Sequence, residues 1–211
     1  TIVTIIPGTQ TISFPVQSSQ TYSAGGTFFL SPLASASSGL QVGYSSTTPD
    51  VCNVVDDVTG QIGILAVGIC TITAVQKGSE FYEAADQASQ DITITQASQV
   101  ISWGAQSGIA FGSGGTFAIN PLATGGASGN PVVYSSTTPA VCTVSGTTVT
   151  KVTAGLCTLL ANQAGDSNYS AAAPVQRSLI IAASVAGAPV ATQITPSDSQ
   201  VIIDFDAPTS N

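Results

Sequence analysis

The feature that most constrains this chain is a nine-residue segment that occurs twice. The sequence YSSTTPDVC at residues 44–52 returns as YSSTTPAVC at residues 134–142. Flanking segments repeat with it, at offsets that change only by the few residues a surface turn tolerates. A self-match at a nearly constant period indicates two copies of one structural module. Each copy has the size of an ordinary β-sandwich domain.

The repeat also predicts the domain boundaries. Residues 8–95 and 96–182 are the two complete copies, and residues 1–7 align with the last strand of a copy, so we expect them to be the end of a preceding repeat. The linker between the copies, Gln96-Ala97-Ser98, contains no glycine or proline. Such a short connection predicts a limited range of angles between the modules.

Composition favours an all-β chain and excludes two classes of partner. Only 7% of the residues are charged, while 21 glycines and 11 prolines separate short β-branched segments, which is typical of many strands joined by turns. The net charge is −8 with three basic residues, so neither nucleic acid nor acidic lipid is an expected partner. No apolar run reaches the roughly 18 residues of a membrane span, so membrane insertion is not expected.

Four cysteines occur as two per copy. If each copy folds by itself, the bonds are Cys52–Cys70 and Cys142–Cys157; the alternative is four free buried thiols. Alternation along the strands places each cysteine on the same face as apolar neighbours, pointing into the core. Disulfides of this kind indicate an oxidising compartment, such as the periplasm, the cell surface or the medium.

The cysteine-bearing segments resemble a known family. Bacterial immunoglobulin-like domains of the group 2 type, found in intimin- and invasin-like surface proteins, carry Tyr-Ser-Ser-x-x-Pro-x-Val-Ala followed by Gly-x-Ala-x-Ile. Residues 44–54 and 68–72 fit that frame, as do 134–144 and 155–159, with both alanines replaced by cysteine. The resemblance implies tandem immunoglobulin-like β-sandwiches in an elongated array.

The C-terminal segment is similar to a different family. Residues 193–208 combine a proline-containing entry, a short Ser/Asp turn and an alternating strand, like the first two strands of a fibronectin type III domain. Two strands cannot bury a core, so we expect residues 183–211 to be a linker and the truncated start of such a domain. The alternation predicts one shared face for Val201, Ile203 and Phe205. We expect this tail to be disordered, or ordered only by pairing with another molecule or the preceding module.

Catalysis is not expected. The chain has no histidine, and bonded cysteines cannot act as nucleophiles. The second copy has a single carboxylate, Asp166, so the repeats share no acid–base pair. We therefore predict that the chain is not an enzyme and has no catalytic residues.

A metal site is a weaker alternative to solvated loop charge. Asp56 and Asp57 in one turn, and Asp166 in another, carry oxygen atoms of the kind that Ca²⁺ binds. None has the alternating acidic spacing of a dedicated calcium loop, and Asp166 aligns with Ser79, so the set is not repeated. No cofactor is expected, with Ca²⁺ as the one alternative.

Most aromatic positions coincide between the copies, which indicates a core role rather than a ligand platform. The coinciding pairs are Phe14 with Trp103, Tyr22 with Phe111, Phe28 with Phe117, Tyr44 with Tyr134 and Tyr82 with Tyr169. Phe81, next to Glu80 in a turn between strands, has no aromatic counterpart. Glu80 and Phe81 are therefore the candidate ligand-contact residues.

Two functions remain open. In the first, the modules are spacer or stalk elements of a large bacterial cell-surface or secreted protein related to adhesion, with neighbouring immunoglobulin-like and fibronectin-like domains as partners. In the second, they form a binding module for a host or environmental glycan or protein. Asymmetry between the copies separates the two, because a spacer needs none. The loops differ most at residues 56–61 and 80–87.

Overall fold

The computed structural model describes residues 6–112, 115–184, 190–197 and 200–206. This part of the chain consists of strands and their connections and contains no helix. The expected all-β class is therefore confirmed. Residues 1–5, which fall in the predicted end of a preceding repeat, lie outside the described residues.

Two compact units share the chain. Unit 1 comprises residues 1–99 together with Gly165–Ala171, and unit 2 comprises Val100–Ala164 together with residues 172–211. The predicted boundaries at residues 8, 95, 96 and 182 remain a prediction.

Unit 1 contains two facing sheets and a small strand pair. Its strands are β1 (Ile12–Ser13), β2 (Gln20–Thr21), β3 (Thr27–Phe29), β4 (Ser35–Ala36), β5 (Gly43–Ser46), β6 (Cys52–Asp56), β7 (Gln61–Ile64), β8 (Gly68–Val75) and β9 (Ala88–Thr95). The larger sheet has the order β2-β9-β8-β5 and the smaller one β3-β7-β6, while β1 pairs with β4. Ser35–Ala36 lies in a segment that its polar residues predict as a loop; it forms a strand because Ile12 and Ser13 pair with it.

The core of unit 1 lies between the two sheets. Alternate residues of the longest strands are fully buried, as strand geometry requires: Cys70, Ile72 and Ala74 on β8, and Ile92 and Ile94 on β9. They pack against β6 and β7, whose buried members are Cys52, Ile62 and Ile64.

Unit 2 repeats this architecture. Its strands are β10 (Ile109–Ala110), β11 (Thr116–Ala118), β12 (Val132–Ser136), β13 (Cys142–Ser145), β14 (Thr148–Lys151), β15 (Gly155–Gln163) and β16 (Val175–Ala182). The sheet orders β10-β16-β15-β12 and β11-β14-β13 match those of unit 1 strand for strand. A single bridge between Ser102 and Thr124 stands where unit 1 has the β1–β4 pair.

The length difference between the cysteine pairs lies entirely in one hairpin. The bonded cysteines are 18 residues apart in unit 1 and 15 in unit 2. In unit 1 the pairing of β6 with β7 skips Val55, and four residues connect the two strands. In unit 2 the pairing of β13 with β14 is regular, and two residues connect them. One bulge residue and two turn residues account for the difference, and the sheets on either side are unchanged.

The C-terminal strands form a hairpin of their own. β17 (Val190–Ser197) pairs antiparallel with β18 (Gln200–Asp206) in a separate two-stranded sheet. The sequence predicts that this tail is disordered, or ordered only through another molecule or the preceding module. The structure differs, because the two strands of the tail pair with each other. Ile203, expected to face a missing core, is 46% exposed.

Candidate functional site

The most strongly repeated residues surround the disulfides. The bonds Cys52–Cys70 and Cys142–Cys157 join the three-stranded sheet to the four-stranded sheet in each unit, with Cα atoms 5.6 Å apart in both. All four cysteines are fully buried, and the described residues contain no free cysteine. Closing loops of this size stabilises a domain by about 3 kcal/mol in the chain-entropy model.

Two hydroxyl residues of the repeated nonapeptide, Ser46 and Thr48, have structural partners. The hydroxyl oxygen of Ser46 accepts a hydrogen bond from the Thr48 amide and lies 3.4 Å from the sulfur of Cys52. Thr48 Oγ1 in turn accepts from the amide of Thr71 on β8 at 2.9 Å. These bonds hold the corner between β5 and β6 onto the neighbouring strand.

The second copy reproduces this corner atom for atom. Ser136 Oγ accepts from the Thr138 amide and lies 3.3 Å from the sulfur of Cys142. Thr138 Oγ1 accepts from the Thr158 amide at 2.9 Å. The repeated segment therefore encodes a structural corner, and the two copies preserve it because both sandwiches need it.

The tyrosine that both copies of the nonapeptide carry completes the core. Tyr44 is buried beside Phe14, with ring centroids 5.8 Å apart, and its hydroxyl oxygen accepts from the Ala34 amide. Burial raises the pKa of Tyr44 above its ordinary value, and the bond from Ala34 partly offsets that rise. Tyr134 occupies the same position beside Trp103.

Two of the candidate metal-ligating carboxylates, Asp56 and Asp166, each close a turn. Asp56 Oδ1 accepts from the amides of Thr59 and Val58, and these bonds lower the pKa of Asp56. Asp166 Oδ1 accepts from the amides of Asn168 and Tyr169. Each oxygen already receives two hydrogen bonds from its own turn. No group of three or more metal-ligating His, Cys, Asp or Glu side chains occurs among the described residues.

Asp57 lies at an open groove along the edge of unit 1. The groove has a volume of about 450 Å³ and follows β5 and β6, the edge strands of the two sheets. A second cleft of about 330 Å³ is also lined by Tyr44 and Asp57. The polar lining comes from Ser45, Ser46, Asn53 and Asp57. Two features specific to unit 1, the bulge at Val55 and the longer turn, contribute to this surface.

The candidate contact residues Glu80 and Phe81 lie in an exposed loop, Gly78–Ala84, in which Phe81 is 55% exposed. The expected core role of the neighbouring Tyr82 is wrong, because its side chain is 37% exposed and takes no part in the core of unit 1. Its counterpart Tyr169 is half-buried, edge-on to the Tyr22 ring with centroids 5.4 Å apart. Both tyrosines belong to loops, where coincidence between copies reflects a shared loop structure.

Buried glutamines are a group that sequence reasoning missed. The buried polar side chains are Gln10, Gln17, Thr73, Gln76, Gln99, Thr158 and Gln163. Gln10 Nε2 donates to Gln76 Oε1 and to the Glu83 carbonyl, connecting the loop Gly78–Ala84 to the start of the module. The signal was present in the repeat, since Gln10 aligns with Gln99 and Gln76 with Gln163.

Comparisons with known proteins name no family for this chain. No protein-family description and no curated protein matches it. Solved structures with partial similarity include Drosophila N-cadherin EC1-3, with 11% identity, coverage of 85% of this chain and 68% of that one, and a TM-score of 0.33. The D00-D0 domain of intimin has 12% identity, coverage of 82% and 98%, and a TM-score of 0.32. Surface layer protein SbsC, domains 1-6, has 14% identity, coverage of 96% and 32%, and a TM-score of 0.30. Superpositions this loose carry no argument about function.

Membrane insertion through a helix has no support in the described part of the chain, where no helix is long and apolar enough to cross a bilayer.

Proposed function

We propose that this chain consists of immunoglobulin-like spacer modules, of the bacterial group 2 type, in a large cell-surface or secreted protein related to adhesion. The observation that carries the proposal is the role of the repeated nonapeptide. Its tyrosine, its cysteine and the hydroxyls of Ser46 and Thr48 serve the core or the corner, with the same partners in both units. A segment that builds the same structural corner in both copies is what an array of spacers requires, since a spacer works by remaining folded.

The disulfides support an extracellular location and a mechanical role. A bond that joins the two sheets stays closed in an oxidising compartment and limits how far a unit extends under load. The neighbouring domains are the proposed partners, and the C-terminal hairpin is the proposed start of a fibronectin type III-like domain. The absence of repeated acid–base groups supports a non-enzymatic role.

Single-molecule stretching of the full chain tests the spacer function. Each unit is expected to unfold in its own force peak, with the segment between its cysteines withheld from extension. Reduction should then release about 60 Å more from unit 1 and about 50 Å more from unit 2, given about 3.5 Å per extended residue. Smooth extension without force peaks would contradict the proposal.

A second candidate function rests on the groove at the edge of unit 1. Ser45, Asn53 and Asp57 present hydrogen-bonding groups to a ligand of the size of a sugar or a short peptide, so we propose glycan or protein binding as the alternative. A glycan array probed with the full chain tests it. Binding that Asp57→Ala abolishes and that Asp50→Ala, which replaces an acid outside the groove lining, leaves unchanged would favour this function over the spacer.

A further inference from the structure

Two aligned loops of this chain have the same internal framework. In the loop Gly78–Ala84, the Ser79 amide donates to the Tyr82 carbonyl, and the loop binds Gly8 through bonds to Phe81 and Glu83. In the segment Gly165–Ala171, the Asp166 amide donates to the Tyr169 carbonyl, and the segment binds Ala97 through bonds to Asn168 and Ser170. The side chains of Phe81 and Tyr82 in one loop and of Asn168 and Tyr169 in the other are therefore attached to the same backbone structure.

The environments of these two side-chain pairs differ. Phe81, Tyr82 and Glu83 are exposed, whereas the aligned Asn168, Tyr169 and Ser170 are half-buried. The difference arises because Gly165–Ala171 belongs to unit 1, where other residues of that unit contact its side chains. The ring of Tyr22 stands at 89° to that of Tyr169. The amide of Val67 donates to Asn168 Oδ1 at 3.1 Å.

The loop Gly78–Ala84 has no such cover in the described part of the chain. Phe81 is 55% exposed and Tyr82 is 37% exposed. Hydrogen bonds from the backbone amides of Gly8, Ser79 and Glu83, and from Gln10 Nε2 to the Glu83 carbonyl, are among those that hold the backbone of their loop. Two adjacent aromatic rings held at the surface by an ordered backbone are typical of a contact surface. The aligned loop shows what such a frame contacts: the end of a sandwich bearing an aromatic ring.

We propose that Phe81 and Tyr82 dock onto a sandwich of this same repeat type that directly precedes residue 7 in the polypeptide. Tyr82 lies edge-on to the residue equivalent to Tyr22, as Tyr169 does, and Phe81 replaces the hydrogen bond of Asn168 with apolar contact. The preceding sandwich then incorporates Gly78–Ala84 as unit 1 incorporates Gly165–Ala171. This inference rests on the array organisation of the proposed function, but not on whether the array acts as a spacer.

The test uses a lengthened chain in which a second copy of residues 8–95 is joined directly before residues 7–211, a junction that follows the repeat register. Paramagnetic relaxation from a soluble probe reports the exposure of the Tyr82 ring by NMR. Docking is expected to reduce the relaxation rate of the Tyr82 ring protons at least twofold relative to the 211-residue chain. Phe29, which is 59% exposed, is the internal control and should not change.

Two variants identify the contact. Tyr22→Ala in the added copy should restore the exposure of Tyr82. Tyr22 also packs against the core of its own unit, so its replacement could disturb that core. Phe81→Lys avoids this problem because the Phe81 side chain is exposed, and it should also restore the exposure of Tyr82.

Three results would overturn the proposal: unchanged exposure of Tyr82 in the lengthened chain, protection that survives both variants, or protection in the 211-residue chain that grows with concentration, which would assign the loop to another molecule. A glycan ligand for the groove would contradict the spacer function and leave this measurement unaffected.

Discussion

At the scale of single residues, the same structural task is often performed by different side chains in the two copies. Ser79 Oγ accepts from the Phe81 amide where Asp166 Oδ1 accepts from the Asn168 amide. Gln90 donates to the carbonyl of Phe14, and its aligned residue Arg177 donates to the carbonyl of Trp103. A carboxylate or a guanidinium in one copy therefore does not indicate chemistry when a neutral group fills the same role in the other.

Asp56 gives the first prediction, at acid pH. The hydrogen bonds from Thr59 and Val58 lower its folded-state pKa, so the stability it contributes is present above its unfolded pKa and is lost as the pH falls through the folded value. Asp56→Asn keeps an oxygen acceptor for both amides but does not titrate. We expect the free energy of unfolding of the native chain to fall more steeply below about pH 4 than that of the variant. Denaturant titrations between pH 2.5 and 7 measure it, and parallel pH profiles would contradict the assignment.

At the scale of elements, most differences between the copies lie in turns, loops and one bulge, while the strand order of the main sheets is the same. The extra bulge and turn residues of unit 1 change the groove and leave the register of β8 with β9 intact. This division follows from hydrogen bonding. A residue inserted inside a sheet unpairs a ladder, whereas one inserted in a turn unpairs little.

The loop Gly78–Ala84 provides an element-scale prediction. Gly78 has a φ of 83°, and a Cβ there would lie 2.6 Å from the Tyr82 carbonyl oxygen. Gly39 has a similar φ of 77° but open space around it. Alanine costs about 1 kcal/mol at both positions for the backbone conformation, and Gly78→Ala must also displace the loop. Hydrogen exchange at the Gly8 and Glu83 amides should accelerate in Gly78→Ala and not in Gly39→Ala.

At the scale of the whole molecule, each unit depends on a disulfide between its sheets. Replacing Cys52 and Cys70 by alanine, the residue that the resembling family carries there, should reduce the stability of unit 1 by about 3 kcal/mol. The same change at Cys142 and Cys157 should act on unit 2 to a similar extent, because the loops differ by only three residues.

Tryptophan fluorescence separates the two effects. Trp103 is the single tryptophan of the chain and is buried in the core of unit 2. The Cys142/Cys157 variant should shift the fluorescence transition, and the Cys52/Cys70 variant should shift mainly the transition seen by circular dichroism. Equal shifts of the fluorescence transition in both variants would show that the units do not unfold separately.

The sequence by itself determined the all-β class, the repeat and the inward faces of the strands. Alternation placed Cys70, Ile72 and Ala74 on one face, and all three are fully buried. Repetition also favoured the cysteine pairing that the structure contains. These properties follow from the spacing of residues along a strand and from comparison of the copies, both of which can be read from the sequence.

Only the tertiary structure decided which side chains outside the core are exposed and which are packed against other residues. Tyr82 and Tyr169 coincide in the repeat, yet one is exposed and the other packs on Tyr22, which is distant in sequence. The carboxylates of Asp56 and Asp166 each accept hydrogen bonds from amides of their own turns, a role that the sequence did not reveal. Ser35–Ala36 became a strand because a partner strand lies beside it. In each case the outcome depends on which atoms approach through space, and that depends on packing between segments that the local pattern does not specify.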